Sequence, residues 1–221
     1  MQNSNMPKAR NFIRYLLMAV AFAIVTVPVW AGTLNATTVN KSGEAMSDVV
    51  IYAMPVGGAV AASGHAEGAT IAQDHLQFTP YVTVVRTGTE IKFPNYDKVE
   101  HHVKSFSAVK EFEIKPYEKT TPPPILFDKP GIVIIYCLIH EWMRAYVMVV
   151  DTPYFGKSDA SGAVTFNDLP PGNYEIRAWH PDMGSIKPPL LQTLRVDAQG
   201  SQQVKFAFDF IPKKRKAVSA G

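Results

Sequence analysis

Cysteine is nearly missing: Cys137 is the only one in 221 residues. An intramolecular disulfide framework is therefore excluded, and the lone thiol is an inert apolar side chain, half of an intermolecular bridge, or a metal-bound thiolate. Helical signals are also missing, since no heptad or long amphipathic period follows residue 31. Charge is sparse, at 19% of residues with a formal net charge of +3, against 47% hydrophobic residues. That balance belongs to a folded protein and excludes disordered, collagen-like and coiled-coil chains. The sequence carries no phosphate-binding loop, no interpretable Ser-His-Asp pattern and no paired carboxylates at a recognisable site. Nothing supports nucleic-acid binding, and the chain is not expected to be an enzyme.

The small positive surplus comes from one end. Residues 1–31 carry Lys8, Arg10 and Arg14 and no acid, then an apolar run from Tyr15 to Val29, ending in Val29-Trp30-Ala31. This is the pattern of a secretory signal peptide cleaved after Ala31, with an uncleaved anchor as the alternative. Of the 22 Lys and Arg residues, three lie in this stretch, leaving 19 bases against 19 acids, so the mature chain is expected to be neutral. The expected location is the periplasm.

What is abundant is strand and turn. Short apolar runs such as Val49–Tyr52, Tyr81–Val85, Glu90–Phe93, Ile132–Tyr136, Ala145–Val150, Tyr174–Ala178 and Val204–Phe208 are separated by Gly- and Pro-rich turns. Strands at this spacing predict an all-β protein built of sandwiches. A seam falls near Asp151. Beyond it, Ser158-Asp159-Ala160-Ser161-Gly162 and Leu169-Pro170-Pro171-Gly172-Asn173-Tyr174 resemble the middle of a carboxypeptidase regulatory-like, prealbumin-type sandwich. That family opens with two strands that the segment before Ser158 does not supply, whereas residues 32–65 do. The expectation is a sandwich made of residues 32–65 and 152–211, with residues 66–151 set into it; tandem domains are the alternative.

Within residues 66–151, Cys137-Leu138-Ile139-His140-Glu141-Trp142-Met143 follows directly on an apolar strand, and His101-His102 lies upstream. One thiolate and two imidazoles in a plane with a weak axial thioether is the ligand set of a blue-copper electron-transfer site. Zinc accepts thiolate and imidazole, but its structural sites want four strong donors and thioether is a poor one. Adjacent strand residues face opposite ways, so His101 and His102 cannot both serve. His102 shares its face with Lys104 and Phe106, the wetter side, which leaves His101, Cys137, His140 and Met143 as the expected metal ligands.

Residues 66–151 resemble a cupredoxin of the plastocyanin and amicyanin family. The resemblance rests on the Cys-x-x-His-x-x-Met loop and on Leu76–Pro80, Val84–Asn95 and Phe127–Gly131. Joined to a regulatory-like sandwich, the whole resembles bacterial plastocyanin-like proteins labelled methylamine utilisation proteins. The resemblance implies one type 1 copper ion and one-electron transfer to a redox protein, such as a cytochrome or quinoprotein dehydrogenase, docking near His140. Leu138, Ile139 and Trp142 would frame that docking edge. One departure is His102, where the family usually has Asn, and this bears on the hydrogen bonding behind the ligands. The alternatives are a periplasmic copper-binding or delivery protein and a structural β-sandwich module with an empty site. The basic run Lys213-Lys214-Arg215-Lys216 reads as a solvated terminus, with contact to a membrane surface the lesser reading.

Overall fold

A computed structural model describes residues 31–57 and 67–215. The expected signal peptide before Ala31 lies outside the described residues. Within them the chain is almost all β, with one short 3-10 turn at Pro181–Met183, and no helix is long and apolar enough to cross a membrane.

The strands run in order β1 (Gly32–Val39) and β2 (Val50–Pro55), then β3 (Ala69–Thr70), β4 (Ala72–Asp74), β5 (Gln77–Thr79), β6 (Val82–Arg86) and β7 (Thr89–Lys92). There follow β8 (His101–Ser107), β9 (Lys110–Tyr117), β10 (Ile125–Phe127), β11 (Gly131–Tyr136) and β12 (Arg144–Val150). The last are β13 (Phe155–Lys157), β14 (Ala163–Leu169), β15 (Gly172–Trp179), β16 (Leu190–Val196) and β17 (Ser201–Ala207).

Pairing divides the strands into two sets. β1 lies between β14 and β17, and β2 lies between β13 and β15, with β16 beyond β15. Strands β3 to β12 pair among themselves: a five-stranded sheet β6-β12-β11-β8-β9, a three-stranded sheet β10-β7-β3, and the β4-β5 hairpin. A turn built by Asp159 fastens the set of β1, β2 and β13–β17, here the second strand set: its carboxylate accepts the Ser161 and Ala163 amides, and the Gly162 carbonyl accepts the Thr38 amide of β1. Gly162 is required there, because its φ is +75° and a Cβ would lie 2.5 Å from the Thr38 carbonyl oxygen.

β6, β11 and β12 of the five-stranded sheet are covered on both faces. Val133, Ile135, Ala145, Val147 and Val149 pack with Ile91, Phe93 and Phe127 of the three-stranded side. The alternate residues Ile132, Ile134, Tyr146, Met148 and Val150 instead join the core of the other strand set, where the Tyr146 ring meets Trp179 at 5.8 Å. This explains the unbroken apolar run of β12, since a strand buried on both faces has no reason to alternate. β9 lies at the edge of that sheet. It alternates Phe112, Ile114 and Tyr117 inward against Glu111, Glu113 and Lys115 outward, a charged edge that resists pairing with another chain.

Met148 is 3% exposed at the joint between the two strand sets and points away from Cys137. Met148→Ala is expected to cost about 2–5 kcal/mol in urea unfolding, the range for a large-to-small change in a core. The metal-binding behaviour of the folded fraction should not change.

Candidate metal centre

The site is assembled at one end of the five-stranded sheet. β8 begins at His101, and β11 ends one residue before Cys137. The turn after β11 closes on itself: the Met143 amide donates to the His140 carbonyl, and the Cys137 amide donates to the Met143 carbonyl. Those two bonds fold Cys137, His140 and Met143 into one tight loop.

The loop and β8 bring His101, Cys137 and His140 together, with one ligand atom of each within 4.8 Å of the others. Cys137 Sγ lies 3.9 Å from His101 Nδ1 and 3.7 Å from His140 Nδ1. His101, Cys137 and Met143 are buried, while the His140 ring is partly exposed, stacked between His101 at 4.9 Å and Trp142 at 5.3 Å. Met143 packs in the same core cluster as Cys137.

His102 turns away from this cluster. Its ring nitrogen Nε2 lies 2.9 Å from Glu113 Oε1 on β9, while its backbone amide reaches Cys137 Sγ at 3.5 Å. Its face is the wetter one, as the alternation with Lys104 and Phe106 implies: Phe106 is 60% exposed, whereas Val103 and Ser105 on the His101 face are fully buried. His102 itself is only 4% exposed, because the carboxylate of Glu113 folds over it from the neighbouring strand.

Asp97 is a site residue that sequence reasoning missed. Its Oδ2 lies 2.8 Å from His101 Nε2, and the same carboxylate accepts the backbone amides of His75 (2.9 Å) and Leu76 (3.0 Å). By accepting from Nε2, it leaves Nδ1 of His101 as the lone pair turned to Cys137. The β4-β5 turn thus held to Asp97 also accepts, at the Leu76 carbonyl, the indole N–H of Trp142 at 3.1 Å. One hairpin turn therefore ties the His101 side of the site to the His140 side. The signal was the spacing of Asp97 four residues before His101, inside a turn that Asn95 caps by accepting the Asp97 amide.

The electrostatics favour a thiolate. Burial alone would push the Cys137 thiol up, but the His101 ring and the amides of His102, His140 and Ile139 outweigh it and bring it down to about 6. Burial likewise opposes charge on His101, yet Cys137 and Asp97 hold its basicity above the ordinary imidazole value. Desolvation of Asp97 is outweighed by the Leu76 and His75 amides and His101, so its carboxyl stays below the usual range.

A thiolate and two imidazole nitrogens converging on one point, with a thioether side chain in the same loop, suit a soft transition-metal ion. Leu138, Ile139 and Trp142, which flank His140 in the same loop, are all exposed.

No family model and no curated protein matches the chain. Among solved structures it is similar to a purple cupredoxin from Nitrosopumilus maritimus, at 21% identity over 37% of this chain and 99% of that chain, TM-score 0.34. It is similar to a reduced Cu(I) form of an amicyanin mutant at 17% identity, over 38% of this chain and 82% of that one, TM-score 0.35. A third is the Cu-containing nitrite reductase from Thermus scotoductus SA-01, at 24% identity over 44% of this chain and 25% of that one, TM-score 0.36. These neighbours are copper proteins, and the likeness is partial.

Two outcomes are expected. In the metal-free protein, ultraviolet thiolate absorbance of Cys137 should appear as pH rises through about 6. Metal must displace a proton from sulfur below that point, so affinity should fall as pH drops through it. Asp97→Ala should weaken metal binding about 10- to 100-fold in competition titrations, the usual cost of losing the partner behind a ligating histidine.

Proposed function

We propose that this protein is an exported type 1 copper protein that carries single electrons between redox partners. The observation that carries this reading is the His101–Cys137–His140 cluster, buried except at one imidazole and tethered to Met143 by the backbone of a single loop. His101, Cys137 and His140 would be the equatorial ligands, and Met143 the axial one. The bound copper would supply a one-electron couple.

The chain's own residues fit that role. A strand end and a closed loop hold the ligands against a core, so little can rearrange when the charge changes. Asp97 fixes the His101 ring, and the His102 amide lowers the charge density on sulfur. Burial of Cys137 and His101 keeps solvent off the metal and slows its release, which favours carriage of electrons over delivery of copper. The His140 edge, framed by Leu138, Ile139 and Trp142, is where a protein donor or acceptor would dock, and weak redox encounters need only a small interface. Residues 66–151 would act as the copper-carrying unit set into the second sandwich, in the periplasm, with residues 1–31 removed. No substrate is turned over in this reading.

The test is the visible spectrum after Cu(II) is added to the purified protein. An intense band near the red end, from thiolate-to-copper charge transfer, is expected and should vanish in Cys137→Ser. A folded protein that stays colourless and binds no copper would overturn the proposal.

A further inference from the structure

A cleft of about 470 Å³ opens beside the metal-site loop, between Trp142 and Arg144 on one wall and the segment Lys213-Lys214-Arg215 on the other, with Tyr81 and Tyr146 among its lining residues. The second strand set thus contributes directly to the surface next to the candidate site, through residues far along the chain.

The basic segment is held there. The Lys213 amide donates to Asp182 Oδ2 at 2.7 Å. The Arg215 guanidinium stacks over Tyr81 at 4.6 Å and lies 3.6 Å from Asp48. Residues 213–215 are exposed, as expected of a solvated terminus, but they are also tethered: Asp182 and Asp48, together with the Tyr81 ring, hold them near the β6 side of the five-stranded sheet. Lys216 lies outside the described residues.

Charge in the cleft is unbalanced. Four cations line it, Arg144, Lys213, Lys214 and Arg215, against the two carboxylates Glu141 and Asp182. Asp182 already accepts a backbone amide, and Arg215 is spent on Asp48 and Tyr81. Neither the Lys213 nor the Lys214 ammonium makes an ion pair among the described residues. Two unpaired ammonium groups flanking an exposed indole, next to the partly exposed His140, form a positive rim on one side of an apolar edge. Such a rim steers oppositely charged partners and sets their orientation.

We infer that this cleft is the docking site for an acidic segment of the protein redox partner, with Lys213 and Lys214 taking its carboxylates while the partner's apolar surface covers Leu138, Ile139 and Trp142. The inference rests on the electron-carrier reading for its purpose and on the cleft alone for its chemistry. The transfer itself makes and breaks no bond: one electron leaves the donor, Cu(II) becomes Cu(I), and the donor is oxidised by one unit.

The first arm of the test uses the metal-free protein with Trp30→Phe. Trp142 then reports the cleft, because the other indole, Trp179, is fully buried. Titration with hexaglutamate at low ionic strength should change Trp142 emission. Lys213→Glu/Lys214→Glu should weaken that binding about ten-fold or more, and high salt should abolish it. The charge-matched control Lys110→Glu/Lys205→Glu, placed at the start of β9 on the opposite edge of the five-stranded sheet from β6 and on β17, should bind like the parent. Equal binding in the double variant and its parent, or inorganic phosphate binding as tightly as the peptide, would overturn the proposal.

The second arm uses the copper-loaded protein and ferrocyanide as an anionic one-electron donor. The double variant should be reduced about ten-fold more slowly at low salt, with its visible spectrum unchanged. Unchanged rates would overturn the docking site. A loaded protein without the blue band would instead overturn the electron-carrier reading, leaving the hexaglutamate result to stand on its own.

Discussion

In the middle of the five-stranded sheet, β11 and β12 are covered on both faces, and the loop that carries Cys137, His140 and Met143 hangs between these two strands. One face packs through Val133, Ile135 and Val147 against the three-stranded side, and the other through Ile134, Tyr146 and Met148 against the second strand set. β11 and β12 therefore cannot twist or slide without opening two cores at once, and β8 is held against one of those cores through Val103. His101 starts β8 and Cys137 follows the end of β11, so their separation inherits that stiffness. An electron carrier needs a site that barely moves between oxidation states, and close-packed interiors resist small displacements.

The loop ligands depend on a second, polar constraint. Asp97 gathers one imidazole and two backbone amides on a single carboxylate, and the hairpin turn it holds accepts the Trp142 indole in return. The network is driest at the fully buried His101, where losing the Asp97 partner would leave a ring nitrogen unsatisfied, and it opens to solvent at His75 and Trp142. His102 shows the same economy on the opposite face. Its amide serves the sulfur while its ring is engaged by Glu113, so a histidine next to a ligand need not compete for the metal.

The second strand set does more than cover a sheet. It supplies Trp179 to the joint with Tyr146, and it carries Asp182, which holds Lys213 at the cleft beside Trp142. A single sandwich bearing the ligand loop would have an apolar edge with no basic wall beside it. Joining the two sets adds charge to one side of that edge, and charge on one side is what orients a diffusing partner.

The all-β class, most of the strand positions and the grouping of His101, Cys137 and His140 were legible in the amino-acid order, because alternation, turn residues and the spacing of these side chains are local properties of the chain. Cys137, His140 and Met143 lie within one loop, and the face of His101 followed from strand alternation with Val103 and Ser105. Only the tertiary structure decided the partners of those residues. Asp97 could be seen to orient His101 only once the turn was closed, and Glu113 could cover His102 only once β9 lay beside β8. Lys213 and Trp142 came to line one cleft only when two distant segments were brought to the same edge. Such contacts join positions whose separation along the chain carries no period, so no local pattern records them.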